Sequence, residues 1–84
     1  MIIHNLKINR EFADAVSEGR KTFEIRKNDR GFKVGHKVTF SAIENLEFIK
    51  HPINDQIYEI TYILTDPYIA EGHVALAIKR VGRC

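Results

Sequence analysis

A chain of 84 residues has room for one hydrophobic core but not two, so residues 1–84 read as a single domain. With 44 % hydrophobic and 29 % charged residues it lies outside the core-poor compositions that stay disordered, and its one cysteine, Cys84, excludes an internal disulfide. No Cys/His spacing resembles a metal site, the N-terminus lacks a signal-peptide pattern, and no stretch nears the ~20 apolar residues of a membrane span; neither metal, cofactor nor membrane is expected, and the chain reads as cytoplasmic.

The first predicted element is a half-buried strand over residues 2–8, with Leu6 and Ile8 on one face and Asn5 and Lys7 on the other. Asn9 is placed to cap a short helix over 10–18, in which Phe12, Ala15 and Val16 share a face, and Gly19 is the natural stop. From Thr22 the period becomes two: Phe23 and Ile25 point one way, Thr22, Glu24, Arg26 and Asn28 the other. Asn28-Asp29-Arg30-Gly31 reads as a turn, followed by a third strand through Val38 and Phe40. Residues 43–56 show no sustained period and are expected to be a loop with one irregular turn. A fourth strand over 57–65 puts Tyr58, Ile60, Tyr62 and Leu64 on one face, Asp66-Pro67 ends it, and Val74, Leu76 and Ile78 mark a last strand. One short N-terminal helix among about five strands defines an α+β domain whose sheet is expected to curl into a small barrel.

The net charge of +2 is small, but its distribution is uneven. Residues 20–37 hold seven basic side chains against Glu24 and Asp29, a surplus of five, whereas residues 38–84 hold four basic and six acidic. Within this run, Gly19-x-Lys21-x-x-Glu24-x-Arg26 sets three ionisable groups after a helix-to-strand pivot, within about 10 Å of strand. Arg26 could fork onto a phosphate or carboxylate, Lys21 adds a point charge, and Glu24 either orients those cations or accepts from a base N–H. Arg20, Lys27 and Arg30 extend the basic footprint, and Tyr68, beside Pro67, is the best placed base-stacking candidate, while Phe32 and Phe48 are others. Four histidines, His4, His36, His51 and His73, are scattered over different elements and read as surface or structural residues, with His4 and His73 the candidates for lining a cleft.

This motif, directly after a first strand and helix, resembles the signature of the ASCH domains, a branch of the PUA-like β-barrels. The likeness extends to His4-x-Leu6-Lys7-Ile8, to Arg26-Lys27-Asn28-Asp29-Arg30 with Phe32-x-Val34-Gly35, and to Thr61-Tyr62-Ile63-Leu64 with Gly72-x-Val74-x-Leu76-x-Ile78, as in small bacterial and phage ASCH-like proteins. It implies a PUA-like barrel whose cleft presents Lys21, Glu24 and Arg26, with Gly19 as pivot and RNA or a nucleotide as partner. Some relatives are amidohydrolases of acetylated cytidine or ribonucleases, which makes Lys21 and Glu24 the catalytic candidates of an alternative, hydrolytic reading. Those amidohydrolases carry threonine where this chain has Glu24 and use a further glutamate, for which Glu59 and Glu71 are the candidates; the departure favours binding. A third reading is a protein–protein adaptor acting through exposed strands or residues 43–56.

Overall fold

Residues 2–83 are described by the computed structural model; Met1 and Cys84, the single cysteine, lie outside them. The first strand, β1 (Ile3–Asn9), buries His4, Leu6 and Ile8 and exposes the residues between them. It passes directly into α1 (Arg10–Ser17). Asn9 occupies the cap position in extended conformation but its side chain bonds no helix N–H, so the expected cap is not made. Of the expected face, Phe12, Ala15 and Val16, only Val16 is fully buried. Ala13 and Val16, one turn apart, enter the core, whereas Phe12 is turned away from it and remains 44 % exposed.

The end of α1 follows the sequence. The Gly19 N–H donates to the Val16 carbonyl and its φ of +83° lies in the left-handed region open to glycine. The chain then folds back, and the Arg20 and Lys21 N–H groups both donate to the Ala15 carbonyl at 2.9 and 3.0 Å. Lys21 is thereby fixed to the helix end before β2 (Phe23–Lys27) begins.

Residues 43–56 hold the expected irregular turn but are otherwise not a loop. The third strand, β3 (Lys37–Glu44), runs into this segment, turns through Asn45 and Leu46, returns as β4 (Glu47–Phe48), and is followed by a 3₁₀ turn at Pro52–Asp55. Both turn residues have positive φ, 50° and 66°, the geometry of a two-residue hairpin that usually draws glycine at the second site. Leu46 conceals the turn from a composition-based reading. The 3₁₀ turn inserts Ile53 fully into the core. Its geometry is held by His51, whose Nδ1 accepts from the Ile53 N–H at 3.1 Å, leaving Nε2–H to donate to Asp14 on α1 at 2.7 Å. Asn54 completes the tie, accepting from the Ala42 N–H and donating to the Ile49 carbonyl.

Two long strands, β5 (Gln56–Leu64) and β6 (His73–Arg83), complete a six-stranded sheet with the order β1-β3-β5-β6-β2, β4 pairing off this path with β3. The β1–β3 pair is parallel and the rest antiparallel. A register shift between Ile60 and Tyr62 rotates β5. Tyr58 and Ile60 are therefore buried as expected, but Tyr62 is 64 % exposed and Leu64 is also exposed, while Ile63 packs against the core. Val74, Leu76 and Ile78 of β6 face the core with Val38, Phe40 and Ala42 of β3. Each fully buried aliphatic side chain there contributes roughly 1.5–3 kcal/mol. The sheet curls into a half-barrel around this core, and a side chain of β2, one end of the strand order, reaches a carbonyl of β1, the other end. Among the described residues, no helix is long and apolar enough to cross a membrane.

Candidate functional site

The alternation of β2 was legible, but its orientation is the reverse of a typical half-buried strand. Phe23 and Ile25 are about half exposed, and Glu24 is buried with 5 % of its surface accessible. A buried carboxylate is costly unless paired. Here both neighbouring cations meet it: Lys21 Nζ donates to Oε1, and Arg26 Nε donates to Oε2 at 3.1 Å. Glu24 is thus saturated by the motif's own cations, and the three groups are not a solvated surface pair.

Each cation also has a second anchor. Lys21 Nζ donates to the Phe23 carbonyl at 2.6 Å and sits 4.8 Å from the Phe23 ring centre and 5.6 Å from that of Phe12, within cation–π range of both. Arg26 Nη2 donates across the open seam of the half-barrel to the Lys7 carbonyl on β1. Arg30 repeats the device two residues earlier on β1, donating from Nη1 to the Asn5 carbonyl at 2.9 Å. Arginine side chains stand where a backbone ladder between β1 and β2 would close a barrel.

Above this seam lies a cleft of about 580 Å³. Lys21, Glu24 and Arg26 line it together with Lys27, and the wall is completed by Lys7, Ile8 and Asn9 of β1, Phe12 of α1, Phe23 and Ile25 of β2, and His73 of β6. Cationic groups and exposed aromatic faces are therefore interleaved over one concave surface, a combination suited to an anion attached to a flat, apolar ring.

Other sequence candidates fall outside the cleft. Arg20 is exposed and pairs with Glu18 at 2.9 Å; Arg30 borders a further depression with Phe32 and Asp29, which adjoins the cleft at Arg26 and Lys27. Tyr68 is 79 % exposed in the β5–β6 connection and does not line the cleft. Phe32 is buried and tilted against His4 at 4.7 Å, which removes it as a stacking surface. Phe48 is exposed on the β3–β4 hairpin, with Lys7 Nζ 5.7 Å from its ring centre. Glu59 is held by Lys37 at 2.8 Å, and neither it nor Glu71 lines the cleft.

Phe12 and Phe23, the aromatic walls, were missed because periodicity assigns apolar residues to a core. Lys7 comes from a strand distant in sequence and carried no local signal, and of the two histidine candidates His73 lines the cleft and His4 does not. His73 donates from Nδ1 to the Glu71 carbonyl at 3.0 Å. His4, by contrast, bonds His36 at 2.9 Å beneath the seam, and burial, with the nearby His36 and Arg30, holds its pKa below the usual 6.5. Among the described residues no three His, Cys, Asp or Glu side chains converge as a metal site would require.

Fold and site together define a small α+β half-barrel protein with a basic, aromatic-walled cleft at its seam. The chain belongs to the family described as a domain of unknown function, DUF3850, which matches residues 3–78, a span that includes the whole motif and every strand up to the middle of β6. A comparison with curated proteins finds none that matches it.

Proposed function

We propose that this protein is a PUA-like domain of the ASCH type that binds RNA or a nucleotide in the seam cleft. The observation that carries the reading is the placement of Lys21 against the Phe12 and Phe23 rings on the wall of a cleft that also presents Lys7, Arg26 and Lys27. In this reading Lys21 and Lys27 meet phosphate, Phe12 or Phe23 stacks on a base, and Arg26 offers the ligand the donor capacity left over from Glu24 and the Lys7 carbonyl. Glu24, buried and doubly paired, positions the cations rather than touching a base edge. Arg20 and Arg30 add to the field from outside the cleft.

Fluorescence anisotropy with a short single-stranded RNA tests this. Affinity should fall as salt rises, with a log–log slope of about 0.7 per phosphate contact, and a Lys21→Ala/Lys27→Ala variant should lose most of it. Absent or salt-independent binding by a folded protein refutes the proposal.

The juxtaposition of Lys21 and Glu24 within the cleft supports a second, hydrolytic reading on a modified nucleoside. It lacks a second carboxylate in the cleft, since Glu59 and Glu71 lie elsewhere. Turnover of N4-acetylcytidine that disappears in Lys21→Ala would favour it over simple binding.

A further inference from the structure

Lys21 borders two depressions. Besides the seam cleft, it lines a second hollow of about 390 Å³ bounded by the Gly19–Thr22 pivot and by Ile78, Lys79 and Arg80 of β6. The two hollows therefore adjoin at this one side chain. Strand register explains the adjacency. The β2–β6 pairing sets Phe23 against Ala77, and the Ile78 N–H donates to the Thr22 carbonyl, so the same pairing carried outward brings the pivot alongside Lys79 and Arg80.

The second hollow has a basic margin. Lys79 and Arg80 are exposed, whereas the one carboxylate on its rim, Glu18, is already held by Arg20. From His73, at the far wall of the cleft, to Arg80 the β6 backbone runs seven residues, about 23 Å at the usual strand rise. One nucleotide cannot span that distance. A strand of several can, with its backbone passing over Lys21.

Building on the nucleotide-binding reading of the cleft, we propose that cleft and hollow form one groove for single-stranded nucleic acid, in which Arg80, assisted by Lys79, holds a phosphate beyond the nucleotide seated at Lys21. The length dependence of binding then follows from the fold: each added nucleotide gains affinity until the groove from Lys27 to Arg80 is filled, after which further length adds little. A duplex, which hides its base faces, does not fit between Phe12 and Phe23 and binds only through charge.

Isothermal titration with uridine monophosphate and with uridine di-, tetra- and hexanucleotides tests the groove. Affinity should rise from mono- to tetranucleotide. Arg80→Ala should weaken tetranucleotide binding by about three- to tenfold and lower the salt slope by about 0.7, as loss of one phosphate contact does, while leaving the mononucleotide unaffected. Arg80→Lys, which keeps the charge, should retain most of the affinity, and circular dichroism of both variants establishes that they are folded. Equal affinity for mono- and tetranucleotide, or a tetranucleotide affinity indifferent to Arg80→Ala, overturns the extended groove while leaving the cleft reading intact. Failure of every probe to bind the wild-type protein overturns both.

Discussion

The Arg26 guanidinium donates to the main-chain carbonyl of Lys7, so a side chain of the last strand in the sheet order holds the edge of the first. The same guanidinium meets Glu24, which meets Lys21. Closure of the fold and construction of the cleft are therefore one network rather than two.

A consequence is that Arg26 cannot be removed as a pure binding residue. Arg26→Ala leaves the Lys7 carbonyl without its donor and Glu24 with one cation instead of two. Losing hydrogen bonds to a charged group in this half-buried setting should cost about 2 kcal/mol. For a domain of this size that is a fall in melting temperature of about 10 °C. Arg26→Lys should recover only part of it, since an ammonium lacks the fork that reaches both acceptors. Thermal unfolding followed by circular dichroism checks both, and an unchanged melting temperature would show that the seam closes without this contact.

Glu24 separates positioning from ligand contact. Glu24→Gln removes the charge that compensates Lys21 and Arg26 in a buried place, which should lower stability by about 1–3 kcal/mol. Ligand affinity in the folded fraction should hold within about threefold, because the cleft becomes more positive while its cations lose some order. Titration with a short RNA, run beside a denaturant melt, distinguishes the outcomes. A loss of affinity beyond tenfold in a folded Glu24→Gln protein would assign the carboxylate a direct contact.

How much of this was legible depended on direction rather than on pattern. The strand alternation at β1, β3 and β6 placed Leu6, Phe40 and Leu76 in the core correctly, because one apolar face meets one sheet interior. The same period on β2 could be read but not oriented. Which face turns inward was settled by long-range contacts between Arg26 and Lys7, nineteen positions apart. Phe12 was assigned to the core for the same reason: a helical period gives the residues that share a face, not the wall they face. The hairpin at Asn45 and Leu46 was hidden because leucine occupies a left-handed position, and Tyr62 was misplaced because a bulge in β5 leaves no trace in hydrophobic periodicity. The motif itself was visible because its chemistry is local: Gly19 fixes the pivot, and Lys21, just before β2, lies within reach of Glu24 on that strand, as Arg26 does.

Phe12 and Phe23 should matter for binding and little for folding. Both are nearly half exposed, so truncation removes little core, whereas loss of a base-stacking platform costs about 1–3 kcal/mol. Phe12→Ala and Phe23→Ala should each weaken binding of a short RNA by about five- to a hundredfold, with melting temperatures within a few degrees of wild type. Tyr68→Ala, outside the cleft, should change neither quantity. A Tyr68→Ala defect matching that of Phe23→Ala would move the stacking surface to the β5–β6 connection.

The His4–His36 pair beneath the seam gives stability a pH dependence of defined sign. Their 2.9 Å bond needs a proton on one facing nitrogen and a lone pair on the other, so protonating both rings breaks it. His4 is buried, and Arg30, whose guanidinium is fixed to the neighbouring Asn5 carbonyl, adds a fixed positive charge nearby; together with His36 these hold the folded-state pKa of His4 below 6.5. The unfolded chain therefore takes up the proton first. The contribution is fully present above about pH 6.5, is lost as pH falls from there towards the folded-state value, and levels off below it. Asp14, lowered by its bond from His51, and Glu59, lowered by Lys37, act in a separate window: their contribution is present above their ordinary values of 3.8 and 4.5 and is lost as pH falls through the lower folded-state values. Urea unfolding midpoints should thus decline first as pH falls below about 6.5 and again as it falls below about 4.5. His4→Gln should flatten the first decline and leave the second, because glutamine can still bond His36 without taking up a proton. A first decline that persists unchanged in His4→Gln would place its origin in a different group.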